Sequence, residues 1–325
     1  MDLMLQSAKG VDIMPIAPTD VDMAFGVGKD PENDMELTMP STAPKIERGM
    51  YVYCEGTAYG GMLTGIASND GLTWHGRTWF GLLASKVLVP DGGVGSLTVS
   101  GNANDVLRSL VSRTGLTACF KVNAAKSTLT IEGHTFDKYQ DALNGIVAML
   151  AKVGGKLRIV HDGDKPMLSA VQAKDWSKDE AFDADQVDVA IDMDYLPVNH
   201  LVGRGEGQDG ERVNVELYMD DSGTVSTTKQ TLKGVLDNSE YYNYSSADKD
   251  KLIDDGTKKL QEYWADAHSV SVALDASLDL YDVGDTVGGT DAKTGIFASA
   301  KVTKKILKMD ERGNVTVEYE TGAIQ

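Results

Sequence analysis

The stretch that decides the fold is Leu72–Pro90, LTWHGRTWFGLLASKVLVP. Its first residues alternate between polar and apolar side chains, as half-buried strands do, and Gly76 marks a turn. After Gly81 the side chains are mostly apolar, and a strand of that kind needs cover on both faces. Trp74 and Trp79, half of the chain's four tryptophans, lie in this stretch. We therefore expect it to close a first compact unit.

The residues before this stretch read as a series of short strands. Met35–Met39 alternates cleanly between apolar and polar side chains. Asn69–Gly71 is typical of a hairpin turn that leads into the Trp74 strand. Turn signals of this kind recur every 8 to 12 residues or so, which is the all-β pattern. The sequence predicts a small barrel or sandwich over residues 1–95, ending at the glycine-rich joint Asp91–Gly95.

The pattern changes in the middle of the chain. Asn104–Arg113 carries an amphipathic helical stripe and is followed by Gly115, a typical helix stop. Thr135–Val153 has apolar residues every three or four positions, with Thr135 as a plausible N-cap. Lys156–Val160 and Met167–Val171 then form a predicted hairpin around Asp162 and Gly163. Residues 96–185 are therefore predicted to form an α+β domain.

Strands return in the last part of the chain. Lys174–Asp194 is rich in aspartate, but no candidate calcium loop in it has glycine at the sixth position, so we interpret it as a connector. Ser246–Trp264 is predicted as a helix, with Ser245 and Asp248 spaced as in a capping box. Strands flank it on both sides. Residues 186–325 are thus predicted to be a second β domain with a helical insertion around 240–266.

The composition narrows the class of protein. The chain has 325 residues, 42% of them hydrophobic and 25% charged, which is typical of globular domains. A net charge of −18 argues against a protein that binds nucleic acid or an anionic membrane. Cys54 and Cys119 are far apart in sequence and predict free thiols. Because no stretch has the length and apolarity of a membrane span, we expect a soluble protein without a leader peptide.

No constellation of catalytic or metal-binding residues stands out. The five histidines are scattered, without the spacing of a zinc site, and the pattern Gly-x-Ser-x-Gly is absent. Gly203–Gly207 is interpreted as a glycine-rich strand end and Gly26–Asp30 does not fit a phosphate-binding loop. The sequence predicts no catalytic, cofactor-binding or metal-binding residues, no cofactor, and a protein that is not an enzyme.

Three segments together resemble a known family. The first segment is Gly76–Val87. The second is Asn199–Gly207, followed by Glu211–Arg212 and Leu217–Gly223. The third is Tyr281–Gly289, which continues through Thr294–Gly295. In their order and in the β, α+β, β layout between them, they are similar to the tail-tip baseplate hub proteins of siphophages and related prophages. That family is related to the baseplate hubs of contractile phages and to the base of the type VI secretion spike.

The resemblance implies a fold and a structural function. Two tube-like β-barrels, residues 1–95 and 186–325, would flank the α+β domain, and three chains would form a ring with pseudo-sixfold symmetry. This homotrimer at the virion tail tip, assembled in the bacterial cytoplasm, would close the tail tube and adapt sixfold to threefold symmetry. It would contact the distal tail protein ring, the tape measure protein and a receptor-binding tip protein. DNA would pass through the lumen without specific binding, because an acidic wall repels phosphates.

Alternatives stay open at this point. A carbohydrate-binding or receptor-binding β protein would favour exposed aromatic residues in a row, whereas the tryptophans are spread over three predicted domains. A tail-associated peptidoglycan hydrolase is the other alternative. Many relatives in the family carry a hydrolase or a spike after the hub. This sequence ends at Gln325, directly after the last predicted strand, so we expect neither activity. The sequence does not separate a flexible tail from a contractile one.

Overall fold

The structure is a computed structural model that describes residues 1–29, 31–69, 71–90, 92, 95–178, 187–229, 234–274, 279–291 and 293–324. The centre of the predicted turn 69–71, most of the joint 91–95 and part of the acidic connector 174–194 lie outside the described residues. The chain divides into two compact units. Unit 1 comprises Met1–Asp188, Val272–Gly289 and Lys301–Gly322, and unit 2 comprises Val189–Ser271, Thr290–Ala300 and Ala323–Gln325.

The secondary structure is mainly β with few helices, which confirms the predicted class. The strands before residue 187 are β1 (Leu3–Gln6), β2 (Asp12–Ile16), β3 (Asp20–Gly26), β4 (Asp34–Met39), β5 (Tyr51–Tyr53), β6 (Gly60–Ala67), β7 (Leu72–Thr78), β8 (Thr98–Asn102), β9 (Lys121–Val122), β10 (Thr130–Thr135), β11 (Gly155–Asp162) and β12 (Lys165–Gln172). Those after it are β13 (Val187–Met193), β14 (His200–Arg204), β15 (Asn214–Met219), β16 (Val225–Ser226), β17 (Ser239–Asn243), β18 (His268–Leu274), β19 (Thr286–Thr290), β20 (Phe297–Met309) and β21 (Val315–Ile324). The α-helices are α1 (Trp79–Ala84), α2 (Ala103–Arg113), α3 (Ala142–Ala151) and α4 (Lys249–Ala267).

One large sheet organises unit 1. Ten strands take part, in the order β19–β20–β3–β4–β7–β6–β5–β1–β2, with β21 also paired to β20. We expected the last strands of the chain to complete a barrel with the strands from residue 186 onward. Instead β20 lies antiparallel to β3, with Leu307 opposite Met23. A pairing between segments so far apart leaves no local trace in the sequence. The division into tube-like barrels at 1–95 and 186–325 otherwise stays a prediction.

Helix α1 takes the place of the strand that we expected after Gly81. Its N-cap is Thr78, whose hydroxyl accepts from the Gly81 amide and lies 3.0 Å from the carbonyl oxygens of both Ala24 and Asn33. Its residues 79–83 are all buried. A helix that is apolar all round has no polar stripe, so periodicity cannot distinguish it from a buried strand. The prediction of a strand was wrong, although the expected burial was right.

Gly81 lets α1 approach the loop before β4 very closely. A Cβ atom on Gly81 would lie 2.2 Å from the backbone oxygen of Asn33. We expect Gly81→Ala to lower the free energy of unfolding by about 1–3 kcal/mol, because backbone must shift to admit the methyl group. The matched control is Gly65→Ala in β6, where a Cβ would meet no atom within 4 Å. Thermal unfolding of both variants tests this, and equal melting temperatures would contradict it.

Smaller sheets and two helices share the hydrophobic core of unit 1 with the large sheet. β8 pairs with β10, and β11 pairs with β12, which also pairs with β9. The helix that we predicted to start at Thr135 starts at Ala142, because the Asp141 carboxylate caps it by accepting from the Asn144 amide. Thr135 instead ends β10. Phe136 fits the helical period of the sequence, but it is buried outside the helix.

His161 on β11 is packed between aromatic rings. It is fully buried, its ring stacks on Tyr53 with centroids 3.5 Å apart, and Trp79 lies 6.3 Å away. Its Nδ1 lies 2.8 Å from the Glu55 carboxylate. Burial lowers the pKa of His161 below its usual value, and this outweighs the opposing effect of Glu55. The neutral ring is therefore the form that the fold favours.

This burial predicts a loss of stability in mild acid. The folded pKa of His161 lies below the unfolded value of about 6.5, so the unfolded chain binds more protons as the pH falls below 6.5. We expect this one group to remove up to about 1.4 kcal/mol of unfolding free energy per pH unit in that window. His161→Phe, which keeps a ring in the stack, should show a smaller slope. Burial also lowers the pKa of His134, so part of the slope should remain. Urea denaturation of both proteins at several pH values, from about 7.5 down to about 5, would test this. If the unfolding free energy of His161→Phe fell with pH as steeply as that of the unchanged protein, the prediction would be contradicted.

Unit 2 contains a four-stranded sheet, in the order β16–β15–β14–β17, with α4 packed on it. Its core includes Leu201, Leu217, Leu252 and Leu260. The helix begins at Lys249 and is capped by Asp248, whose carboxylate accepts from the Lys251 amide, a few residues later than predicted. β13 and β18 form a separate two-stranded sheet.

Candidate functional site

The five histidines of the chain lie on five different strands. His75 lies on β7, His134 on β10, His161 on β11, His200 on β14 and His268 at the start of β18. Among the described residues, no set of three or more His, Cys, Asp or Glu side chains could hold a metal ion. Cys54 and Cys119 are free thiols, as expected, and the Cys119 sulfur lies 3.1 Å from the Tyr51 hydroxyl.

Two further expectations can be compared with the structure. β14 ends at Arg204 and Gly205–Gly207 follow it as a strand end, as the sequence predicted. Within the described parts of the chain, the search for a helix with the length and apolarity needed to cross a bilayer finds none.

The third family-like segment, Tyr281–Gly289, forms a buried ion cluster in unit 1. The Asp285 side chain is 2% exposed and lies 2.8 Å from the ammonium of Lys156, which is 8% exposed. The same carboxylate accepts from the Lys174 amide at 2.8 Å. Lys156 also pairs with Asp282 at 2.8 Å. The cluster thus connects β11, the segment after β12 and the loop before β19.

A second lysine extends this cluster to β20. The Lys305 ammonium pairs with Asp279 and lies 3.7 Å from Asp282. Burial raises the pKa of Asp282, but Lys156 and Lys305 outweigh it, so its net pKa lies below the usual range. Removing one partner of such a buried pair leaves an uncompensated charge, so the cluster ties together the stability of the segments that it joins. We interpret this cluster as structural, and a signal for it in the sequence was the pair Asp282 and Asp285 beside Gly284.

The surface most suited to a function is one face of the ten-stranded sheet. Its inward side chains, such as Val21, Leu37 and Trp74, are buried in the core of unit 1. Alternate residues of the same strands are polar and point away from that core. We call them the charged face: Asp20, Asp22, Asp34, Glu36, His75, Arg77, Lys304, Lys308, Glu318 and Glu320. Carboxylates therefore outnumber Lys and Arg on this face.

The strand register places like charges opposite each other on the charged face. Lys308 lies opposite Asp22, and Asp22 lies opposite Glu36. Glu36 in turn lies opposite His75, with the His75 Nδ1 3.1 Å from its carboxylate. Directly opposed like charges on neighbouring strands are destabilising. A face that keeps such a pair is a candidate for function, because local rules tend to be broken at functional sites.

The ionisation of Asp22 reflects this crowding. Partial burial raises the pKa of Asp22, and the nearby Asp34, Asp20 and Glu318 raise it further, while Lys308 opposes them. On the β20–β21 side the charges are balanced, since Lys308 pairs with Glu318 at 2.7 Å and Lys304 with Glu320 at 2.9 Å. The excess of negative charge therefore lies on β3 and β4. Such a face repels phosphate groups and other polyanions.

Comparison with known proteins finds solved structures with a similar fold. No protein-family model matches the chain, and no curated protein matches it by sequence. A prophage MuSo2 43 kDa tail protein from Shewanella oneidensis is similar in structure, with a TM-score of 0.55 and 9% identity over 98% of each chain. A tail protein from Neisseria meningitidis MC58 is similar with a TM-score of 0.50 and 13% identity, over 99% of this chain and 96% of that one.

These likenesses span nearly the whole chain at very low identity. They show that the chain has the fold of phage tail proteins. The resemblance that the three segments indicated is therefore confirmed at the level of the fold.

Proposed function

We propose that this protein is a structural component of a phage or prophage tail, and that it acts as the trimeric hub at the tail tip. The observation that carries the proposal is the likeness to the Shewanella prophage tail protein over 98% of both chains. The hub would close the tail tube, match its sixfold symmetry to a threefold tip and open for the tape measure protein and DNA. Its neighbours would be the distal tail protein ring above and a receptor-binding protein below.

The charged face fits one part of this role. We propose that it lines the channel, where its carboxylates would keep the phosphate backbone of DNA from adhering. The Lys308–Glu318 pair is exposed at both partners, and exposed ion pairs of this kind add little to stability. The opposed acids Asp22 and Glu36 lie in the middle of the face, on adjacent strands.

The proposed role is not enzymatic. The support for this is that the conspicuous ionisable groups of unit 1 serve as packing or ion-pair partners, as for His161 and Asp285. Turnover of purified peptidoglycan by the protein, with or without added metal, would overturn this part of the proposal. Binding to cell-wall glycans without turnover would instead support the receptor-binding alternative.

Two measurements on the full chain test the proposed function. Light scattering coupled to size exclusion should give a mass of three times 34.9 kDa. Electron microscopy of tails assembled with this protein should place it at the tip, with β3 and β4 facing the channel. A position elsewhere in the tail, or β3 and β4 on the outer surface, would contradict the hub or the channel assignment respectively. A monomer at every concentration, together with its absence from assembled tails, would overturn both.

A further inference from the structure

Two loops of unit 2 are brought together by strand pairing. β14 and β17 are parallel neighbours, with His200 opposite Ser239. Because parallel strands begin at the same edge of a sheet, the loops that precede them lie side by side. These loops are residues 194–199 and 234–238. They are far apart in sequence, so the juxtaposition arises only in the fold.

Two asparagines lock the loops to each other. The Asn199 amide side chain donates to the Leu236 carbonyl, and the Asn238 amide side chain donates to the Leu196 carbonyl, both at 2.9 Å. The Asn238 backbone amide also donates to the Asn199 side-chain oxygen at 3.0 Å. Reciprocal bonds of this kind hold both loops in a defined conformation. A preorganised loop surface loses little entropy on binding.

The clamped loops present large apolar side chains to solvent. Val235 is 85% exposed, Tyr195 80%, Leu236 59% and Leu196 36%. We call these four residues the loop-tip surface. Single exposed apolar side chains are ordinary, but four on two clamped loops form a patch, and such patches mark interaction sites. The asparagine clamp fixes the backbone on either side of these exposed side chains, while Val198 in the first loop packs against the core of unit 2.

Two carboxylates lie next to loop-tip residues in the sequence, and that of Asp237 lies 2.9 Å from His200 Nδ1. Asp194 precedes Tyr195, and Asp237 follows Leu236. A groove of about 380 Å³ next to the loops is lined by Asp194 and Asp266, with Val198 and Tyr263 among its apolar walls. Residues 189–271, the longest part of unit 2, are acidic, with sixteen Asp and Glu against eight Lys and Arg. The charge that complements this site is positive.

We propose that the loop-tip surface docks a protein partner through a segment that carries an apolar side chain next to a lysine or arginine. The apolar side chain covers Val235 and Leu236, and the basic side chain extends into the groove between Asp194 and Asp266. Apolar contacts supply most of the affinity, while the charges set the orientation and the rate of association. This inference rests on unit 2 alone and does not depend on the proposed tail role.

Other occupants fit the site less well. A second copy of this chain in a symmetric contact would place Asp194, Asp237 and Asp266 against the same carboxylates, and like charges oppose such a contact. A carbohydrate could stack on Tyr195, but it would leave Val235 and Leu236 in water or against hydroxyl groups.

The probe for this proposal is a displayed library of random twelve-residue peptides, selected on the full-length protein. We expect the enriched peptides to carry apolar residues next to Lys or Arg. A synthetic copy of the best peptide should bind the double variant Val235→Ser/Leu236→Ser at least about tenfold more weakly, as expected for loss of interface anchors. Asp266→Asn should weaken binding less and reduce its dependence on salt.

The matched control is Ile66→Ser, which removes an apolar side chain that is 61% exposed in unit 1. It should leave peptide binding unchanged, and circular dichroism should show that every variant is folded. Enriched peptides without basic residues, equal binding by the double variant, or no enrichment at all would each overturn the proposal. So would a dimer in solution that the double variant abolishes, or glycan binding that depends on Tyr195.

Discussion

Replacing Trp79 by alanine lowers the free energy of unfolding by about 3–5 kcal/mol, the range for removing a large buried aromatic side chain. Trp79 is 1% exposed, and its ring lies 6.0 Å from Tyr51 and 6.2 Å from Phe120. The loss therefore opens a cavity where helix α1 meets the sheet of unit 1. The effect can be measured by urea denaturation followed by circular dichroism.

The control for this prediction is Trp79→Phe. The Trp79 ring nitrogen is buried and has no hydrogen-bond partner among the described residues. Phenylalanine removes that unsatisfied N–H, which offsets part of the lost contact area, so we expect it to cost less than half as much as alanine. Equal losses for the two variants would show that the ring contacts are not what Trp79 contributes.

The second large effect is expected in the buried ion cluster. Asp285→Leu leaves the Lys156 ammonium buried without its most enclosed partner, since only the partly exposed Asp282 remains within ion-pair distance of it among the described carboxylates. We expect a loss of about 3–5 kcal/mol in the free energy of unfolding, as for other broken buried pairs. It also deprives the Lys174 amide of its acceptor.

A double variant separates the charge from the packing. Replacing both partners, Asp285→Leu with Lys156→Met, removes the unpaired charge, so most of the lost stability should return. The exposed Asp221→Leu serves as a control and should change stability by no more than about 0.5 kcal/mol. If the single and the double variant lose equally, the bonds that Asp285 accepts from backbone matter more than its charge.

Much of the local structure could be predicted from the sequence. Met35–Met39 alternates and lies in β4, and Asn104–Arg113 lies in α2. The hairpin around Asp162 and Gly163 is also present, as β11 and β12. These elements share one physical feature. Each has one buried and one exposed face, so the alternation of apolar and polar residues along its sequence has the period of the helix or strand.

Where an element lacks the contrast between a buried and an exposed face, the prediction from the sequence was wrong. Helix α1 is buried on all sides, so its apolar run predicted a strand. The region around Phe136 has a helical period, yet α3 starts only at Ala142, because Asp141 rather than Thr135 provides the cap. Local patterns indicate which residues are buried, but they do not always indicate whether those residues lie in a helix, a strand or a loop.

The candidate sites were decided by tertiary structure. The segment 281–289 was conspicuous in the sequence, but the Lys156 that pairs with Asp285 is 129 residues away from it. The charged face depends on β20 lying beside β3, and the loop-tip surface depends on β14 lying parallel to β17. The sequence by itself determined the mainly β class, the amphipathic elements and the acidity. Only the fold decided which acids and apolar residues lie together, because contacts between distant segments follow from packing and register rather than from any local pattern.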